Sequence, residues 1–320
     1  MRILITGAAG FIGFHLCNEL LKKKDYKVTG IDNLDNYYSV KLKNKRLSIL
    51  KKNKNFKFFK YDIESYNQIQ SLKEDNFDYI LHFAAQAGVR YVLKDPKKYL
   101  NINILGFFNI LQLVLYIKPK KFFYASSSSV YGDTYEFPTT ELAKLKPKNI
   151  YGLTKKINEE MVDLYSSAIK TKFIGLRFFT VYGEWGRPDM LLIKFMISYF
   201  KKKTFKIHNF GNHIRDFTYI GDVVNVLKKL IYKNQSAKHT ILNVCSSKPI
   251  LLKVVIEKLK KITNFLKIKK ISAQKIEVFK TFGSNKQLLK IIGNFEFYKF
   301  DEGLKKTYLW FIKNKKYLIN

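Results

Sequence analysis

The sequence predicts an α/β protein: a doubly wound parallel sheet followed by a smaller C-terminal α/β lobe. Three observations carry that expectation. Short apolar runs alternate with amphipathic segments through the first half. A glycine-rich turn, Gly7, Gly10 and Gly13, joins the first apolar run to the first amphipathic segment. After Thr180 the alternation loosens into shorter elements. With 320 residues the chain can form two lobes, since domains usually run to about 100–200 residues.

In chain order, strands are expected at 2–6, 27–31, 56–61, 79–83 and 121–125. Helical periodicity lies between them at 11–23, 40–52, 66–73 and 97–115. Strand–helix–strand alternation at this spacing implies parallel strands joined by right-handed crossovers. A long helix is expected at 151–169 and a sixth strand at 172–176. The resulting division is 1–180 and 181–320, with some exchange of chain between lobes.

The glycines suit a phosphate-bearing ligand. Glycine permits a tight turn and lets backbone approach a pyrophosphate, while the helix start offers free N–H groups to the anion. Asp32 closes the second strand about 20 residues further on, where a carboxylate binds ribose hydroxyls and repels the extra phosphate of NADP. NAD is therefore the expected cofactor. Asp62, after the third strand, is an adenine-side candidate, and the small Ala84 and Ala85 allow close backbone approach after the fourth. Phe11, Ile12, Asn33 and Ile63 are candidates as their immediate chain neighbours.

Tyr151 and Lys155 are four apart in a helical segment and so share a face. Ser127 ends the fifth strand, where open α/β sheets place ligands. A tyrosine near an ammonium and a nicotinamide cation is expected to have a lowered pKa and to take a proton from a sugar hydroxyl. Taken in order, GAAGFIG, HFAAQAGVRY, ASSSSVYG, YGLTK and RDFTYIGDVV strongly resemble the extended short-chain dehydrogenases/reductases of the NAD-dependent epimerase/dehydratase type. The resemblance spans essentially the whole chain and is weakest beyond about residue 250. It implies a Rossmann-type fold, a catalytic set of Ser127, Tyr151 and Lys155, NAD bound also by Tyr151 and Lys155, and a supporting Asn103.

Within that family, members that dehydrate the sugar carry Asp-Glu where this chain has Ser128 and Ser129, so dehydration is disfavoured. Thr180 stands where glucose-type epimerases have Asn. The block Trp185-Gly186-Arg187-Pro188-Asp189-Met190 resembles that of UDP-glucuronate 4-epimerases, and an arginine fork suits a carboxylate. The resemblance thus implies a UDP-sugar substrate contacted by Arg90, Ser128, Ser129, Thr180, Arg187 and Arg215. The chain departs from that group at Gly221, often an acid, and at 275–278, Lys-Ile-Glu-Val in place of Pro-Gly-Asp-Val. The alternatives are a UDP-glucose 4-epimerase, another nucleotide-sugar oxidoreductase, and a basic nucleic-acid binder on the same fold.

A net charge of +34 fits that last alternative, but the lysines are spread along the chain and no RNA-binding motif is visible. Specific nucleic-acid binding is therefore not expected. Two cysteines give no metal cluster or disulfide framework. With no leader or membrane-length apolar run in view, a cytoplasmic enzyme is expected. Apolar density at Ile102, Ile104, Leu105, Phe107, Phe108 and Leu111 exceeds one buried face and suggests a homodimer.

Overall fold

A computed structural model describes residues 1–234, 236–274 and 276–319. The first half runs β1 (Arg2–Thr6), α1 (Phe11–Leu20), β2 (Lys27–Ile31), α2 (Val40–Leu50), β3 (Phe56–Phe59), α3 (Tyr66–Gln70) and β4 (Tyr79–His82). It continues with α4 (Pro96–Leu100), α5 (Gly106–Ile117), β5 (Lys121–Ser127), α6 (Ile150–Ser166) and β6 (Lys172–Phe178). The expected elements all form, with ends shifted by a few residues. The predicted helix at 97–115 contains a π turn at Asn101–Leu105.

The second half contributes β7 (Thr180–Tyr182), α7 (Leu191–Phe200), β8 (Phe205–Ile207), β9 (Ile214–Tyr219), α8 (Ile220–Tyr232) and β10 (His239–Val244). It ends with β11 (Pro249–Leu251), α9 (Leu252–Thr263), β12 (Ile268–Lys270), α10 (Lys286–Ile292) and α11 (Phe300–Asn314). Strand β10 returns to the main sheet, whose order is β10-β6-β5-β4-β1-β2-β3 with every pair parallel. Strands β11, β9 and β7 form a separate sheet, and β12 pairs with β8.

The strands are apolar on both sides because helices cover both faces. Ile3 and Ile5 enter one core cluster and Leu4 the other, the period-two alternation of a strand. On the first face α1 packs with α8, through residues such as Phe14, Leu16, Val223 and Leu227. On the second, Phe107, Ile110 and Leu111 of α5 cover Leu4 and Ile80. By length and composition the stretch Pro96–Ile117 is apolar enough to cross a membrane, although Lys, Asn and Gln interrupt its apolar residues. Half of its apolar window is nonetheless buried against the rest of the fold. Strand order reverses between β1 and β4, and α/β sheets bind ligands beyond the strand ends at such a point.

Candidate active site

The turn after β1 lies at that reversal. Gly7 has φ +70°, and a Cβ there would come within 2.8 Å of the Ala84 backbone nitrogen. A Cβ at Gly13 would overlap the Gly7 carbonyl. The Gly10 N–H donates to that same carbonyl at 2.8 Å, closing the turn. Helix α1 has no side-chain cap and no acid in its first turn, so its N-terminal N–H groups remain available to an anion. Thr6 Oγ1 accepts from the Ala84 N–H (3.1 Å) and pairs with His82 Nδ1 (2.8 Å), tying β1 to β4 at the reversal.

Asp32 is buried at the end of β2, where it accepts from the N–H groups of Ala9 (3.1 Å) and Leu34 (2.8 Å). Burial pushes its carboxyl up, against Lys43, these two N–H groups and Arg46. Asn33 Nδ2 donates to Asp62 at 2.9 Å, and Asp62 also accepts from the Glu64 N–H at 3.0 Å. Arg46, fully buried, donates to the Ala9 carbonyl at 2.7 Å and braces the glycine turn from behind.

Ser127 ends β5 beside helix α6, which carries Tyr151 and Lys155. The Asn149 side chain caps α6 by accepting from the Gly152 N–H at 2.9 Å, so Tyr151 stands in the first turn. Asn103, in the π turn, donates to Thr154 Oγ1 and to the Gln86 carbonyl, each at 3.1 Å. Its carbonyl accepts from Asn158 at 2.7 Å. The active helix is thereby pinned to the loop after β4. Farther along, Glu159 pairs with Arg177 of β6 at 2.9 and 2.7 Å and accepts from Ser126 at 2.5 Å. Breaking a buried pair of this kind by removing one partner costs about 3–5 kcal/mol.

The lowered Tyr151 pKa expected from the sequence is not seen. Burial raises it, while the Ser127 hydroxyl and the Arg187 charge pull it down. The cation of a bound nicotinamide would act in the same sense as Arg187. Lys155 is pushed down to about 8 by burial, opposed by Glu159.

A cavity of about 260 Å³ brings most of these residues together. Gly7, Gly10, Phe11, Ile12, Gly13, Asp32, Asn33, Ile63, Ala84 and Ala85 line one end, and Ser127, Tyr151, Lys155 and Arg187 the other. The remaining predicted residues do not line it. Asp62 is engaged by Asn33, as above. Thr180 faces a small pocket beside Tyr182, Gly186 and Leu191. Ser128 and Ser129 form a tight turn, with the Ser129 N–H donating to Ser127 Oγ at 3.1 Å. Arg90 pairs with Glu277 at 2.5 Å. Arg215 donates to the carbonyls of Val278 (2.7 Å) and Phe279 (3.0 Å), and burial lowers its pKa to about 10. Within the 275–278 departure, Lys275 lies outside the described residues, whereas Glu277 stands 3.9 Å from His213.

Sequence reasoning missed Tyr37, Tyr38 and Lys43, which line the cavity, and Asp189, which holds Arg187 by two bonds of 2.9 and 2.7 Å. The available signals were the aromatic pair shortly after Asp32 and the acid two residues past Arg187.

The profile of the NAD dependent epimerase/dehydratase family matches residues 3–245. The chain belongs to that family. A probable UDP-glucuronate 4-epimerase of Rhizobium meliloti is 40% identical over 75% of this chain and 71% of its own length. An uncharacterised protein of Methanocaldococcus jannaschii is 42% identical over 99% of this chain and 98% of its own. The crystal structure of UDP-glucuronic acid 4-epimerase from Bacillus cereus, in complex with UDP-glucuronic acid and NAD, superposes with a TM-score of 0.92. It is 29% identical and covers 98% of this chain and 99% of its own. The chain is an NAD-dependent nucleotide-sugar epimerase by this kinship.

Proposed function

We propose that the enzyme interconverts UDP-glucuronate and UDP-galacturonate by inverting sugar carbon 4. The observation that carries this reading is Arg187 lining the same cavity as Ser127, Tyr151 and Lys155. Asp189 engages one edge of the Arg187 guanidinium, and a neutral hydroxymethyl group would offer its other edge no anion. The relatives' substrates point the same way.

NAD fits the cofactor end: the Cβ-free approach of Gly7 to Ala84 leaves backbone exposed to a pyrophosphate, and Asp32 suits ribose hydroxyls. Gly10, Phe11, Ile12, Gly13, Asn33, Ile63, Ala84 and Ala85 would complete the contact, with Asp62 acting through Asn33. When bound, NAD supplies the hydride acceptor and donor for carbon 4. Tyr151 takes the proton from the 4-hydroxyl as a phenolate and returns it to the same oxygen after the keto sugar has turned over. Ser127 hydrogen-bonds that oxygen, and the Lys155 charge stabilises the phenolate. Arg187, with Thr180, Ser128 and Ser129 after local adjustment, would hold the carboxylate so that its bond to the ring does not align with the 4-carbonyl. That orientation restrains loss of carbon dioxide from a β-keto acid. Arg215 would reach the nucleotide diphosphate on exchanging its carbonyl partners at Val278 and Phe279, while Arg90 is held by Glu277.

We further infer a cytoplasmic homodimer. Leu100, Leu105, Leu153 and Leu164 stay 45%, 49%, 42% and 79% exposed on the stretch 96–117 and α6, an apolar surface suited to a second copy. The defining experiment incubates purified protein with UDP-glucuronate or UDP-glucose and resolves the products. UDP-galacturonate as the main product supports the reading; efficient conversion of UDP-glucose alone overturns it.

A further inference from the structure

Arg187 does not reach the cavity as a free, flexible cation. Asp189 engages it side-on, through Nε at 2.9 Å and Nη2 at 2.7 Å. A guanidinium has five N–H groups in a rigid fork, so this pairing uses one edge and leaves Nη1 and the outer Nη2 hydrogen for another anion. Asp189 is in turn held by Tyr37, whose hydroxyl donates to Oδ2 at 3.1 Å. The side chains of Arg187 and Asp189 are 22% and 31% exposed, so the pair sits at a wet rim rather than in the core.

The seat of Tyr37 is built from several directions. Its N–H donates to Asp35 Oδ1 at 2.8 Å, and Asp35 Oδ2 pairs with Lys98 at 2.7 Å. Tyr91 packs edge-on with ring centroids 4.9 Å apart. Gly88, at φ +98°, leaves room for the phenol that any side chain would fill. Tyr99 holds that loop by donating to the carbonyls of Ala87 (3.1 Å) and Gly88 (2.5 Å). Tyr37 also follows Asp32 by a few residues in a segment fixed by Lys43, which donates to the Asp35 carbonyl at 2.6 Å. The segment that leaves the cofactor's ribose site thus ends against the arginine of the sugar site.

The geometry points to Asp189 and Tyr37 as positioning residues that lock the guanidinium plane of Arg187 for a sugar carboxylate. This rests on the uronate reading. A lysine at position 187 could not be held in this way, since a point charge has no plane to fix.

The test compares Asp189→Asn and Tyr37→Phe with wild-type enzyme on UDP-glucuronate and UDP-glucose. Melting temperature and NAD affinity serve as controls for the fold. Asp189→Asn should lower kcat/KM for the uronate about tenfold or more, the size of a lost charge-assisted bond. It should also raise the share of decarboxylated, pentose-bearing product, which a merely structural defect would not do. Tyr37→Phe should change the same quantities in the same direction by a few-fold, and the UDP-glucose rate should move little in either variant. Equal losses on both sugars, or uronate kinetics and product ratio unchanged in both variants, would overturn the proposal. Should Asp189→Asn fail to fold, Tyr37→Phe alone decides by the same criteria. Wild-type enzyme that prefers UDP-glucose would instead overturn the substrate reading on which the proposal rests.

Discussion

The two ends of the cavity are built by different means. The end we assign to the cofactor is lined by backbone: a glycine turn, the start of α1 and strand ends, with Asp32 oriented by two N–H groups. At the end we assign to the sugar, the lining comes from side chains of distant segments, with Tyr37 meeting Asp189 across the fold. Backbone chemistry demands particular residues at short spacing. Side-chain partnerships can be rebuilt in many ways, so the sugar end is where relatives with different substrates should differ.

This contrast has measurable consequences. Removing the proton acceptor should affect every sugar alike: Tyr151→Phe should lower turnover on any active substrate by about 10²–10⁴-fold. Near-normal turnover in a steady-state assay would break the assignment at the centre of both ends. Asp32→Ala should weaken NAD about 10- to 100-fold by titration, the worth of charge-assisted hydrogen bonds to ribose. The ratio of efficiencies on the two sugars should stay constant in that variant, and tighter binding of NADP than NAD by the unaltered protein would contradict the role of Asp32.

A further effect, on stability rather than on catalysis, concerns acid. Burial pushes His82, which braces the reversal point, down to about 3. An unfolded chain protonates the same ring near its ordinary value of about 6.5, so between those values the unfolded state binds more protons. Stability from a neutral His82 is therefore lost as pH falls through that window, by up to about 1.4 kcal/mol per pH unit. Asp216 and Asp222, each pushed up to about 6 by burial, act in the opposite sense below that pH. The comparison is thus wild type against His82→Gln. Wild type should lose ground to the variant as pH falls from 6.5 to 4 in thermal melts, and a constant difference would count against a buried neutral imidazole.

The same contrast explains what was legible in the sequence. Gly7, Gly10, Gly13 and Asp32 could be read because a tight turn, a helix start and a strand end leave few alternatives at those spacings. Tyr151 and Lys155 were legible as a pair one helical turn apart, but not the sign of the Tyr151 shift, which depends on burial that spacing does not encode. Arg187 was legible from its block and Asp189 stood two residues on, but the Tyr37 contact that completes the cradle spans half the chain. Arg90 and Arg215 were expected to face a ligand, yet Arg90 pairs with Glu277 and Arg215 donates to main-chain carbonyls. Those partners come from a segment where the chain departs from its relatives.

The most direct test of the sugar end is the specificity of Arg187→Ala. Efficiency on UDP-glucuronate and on UDP-glucose should be measured for wild type and variant under identical NAD saturation. The account predicts a loss of about 10- to 150-fold on the uronate, from charge-assisted bonds worth about 1.5–3 kcal/mol, with UDP-glucose little changed or improved. Equal losses on both sugars would contradict carboxylate recognition by Arg187.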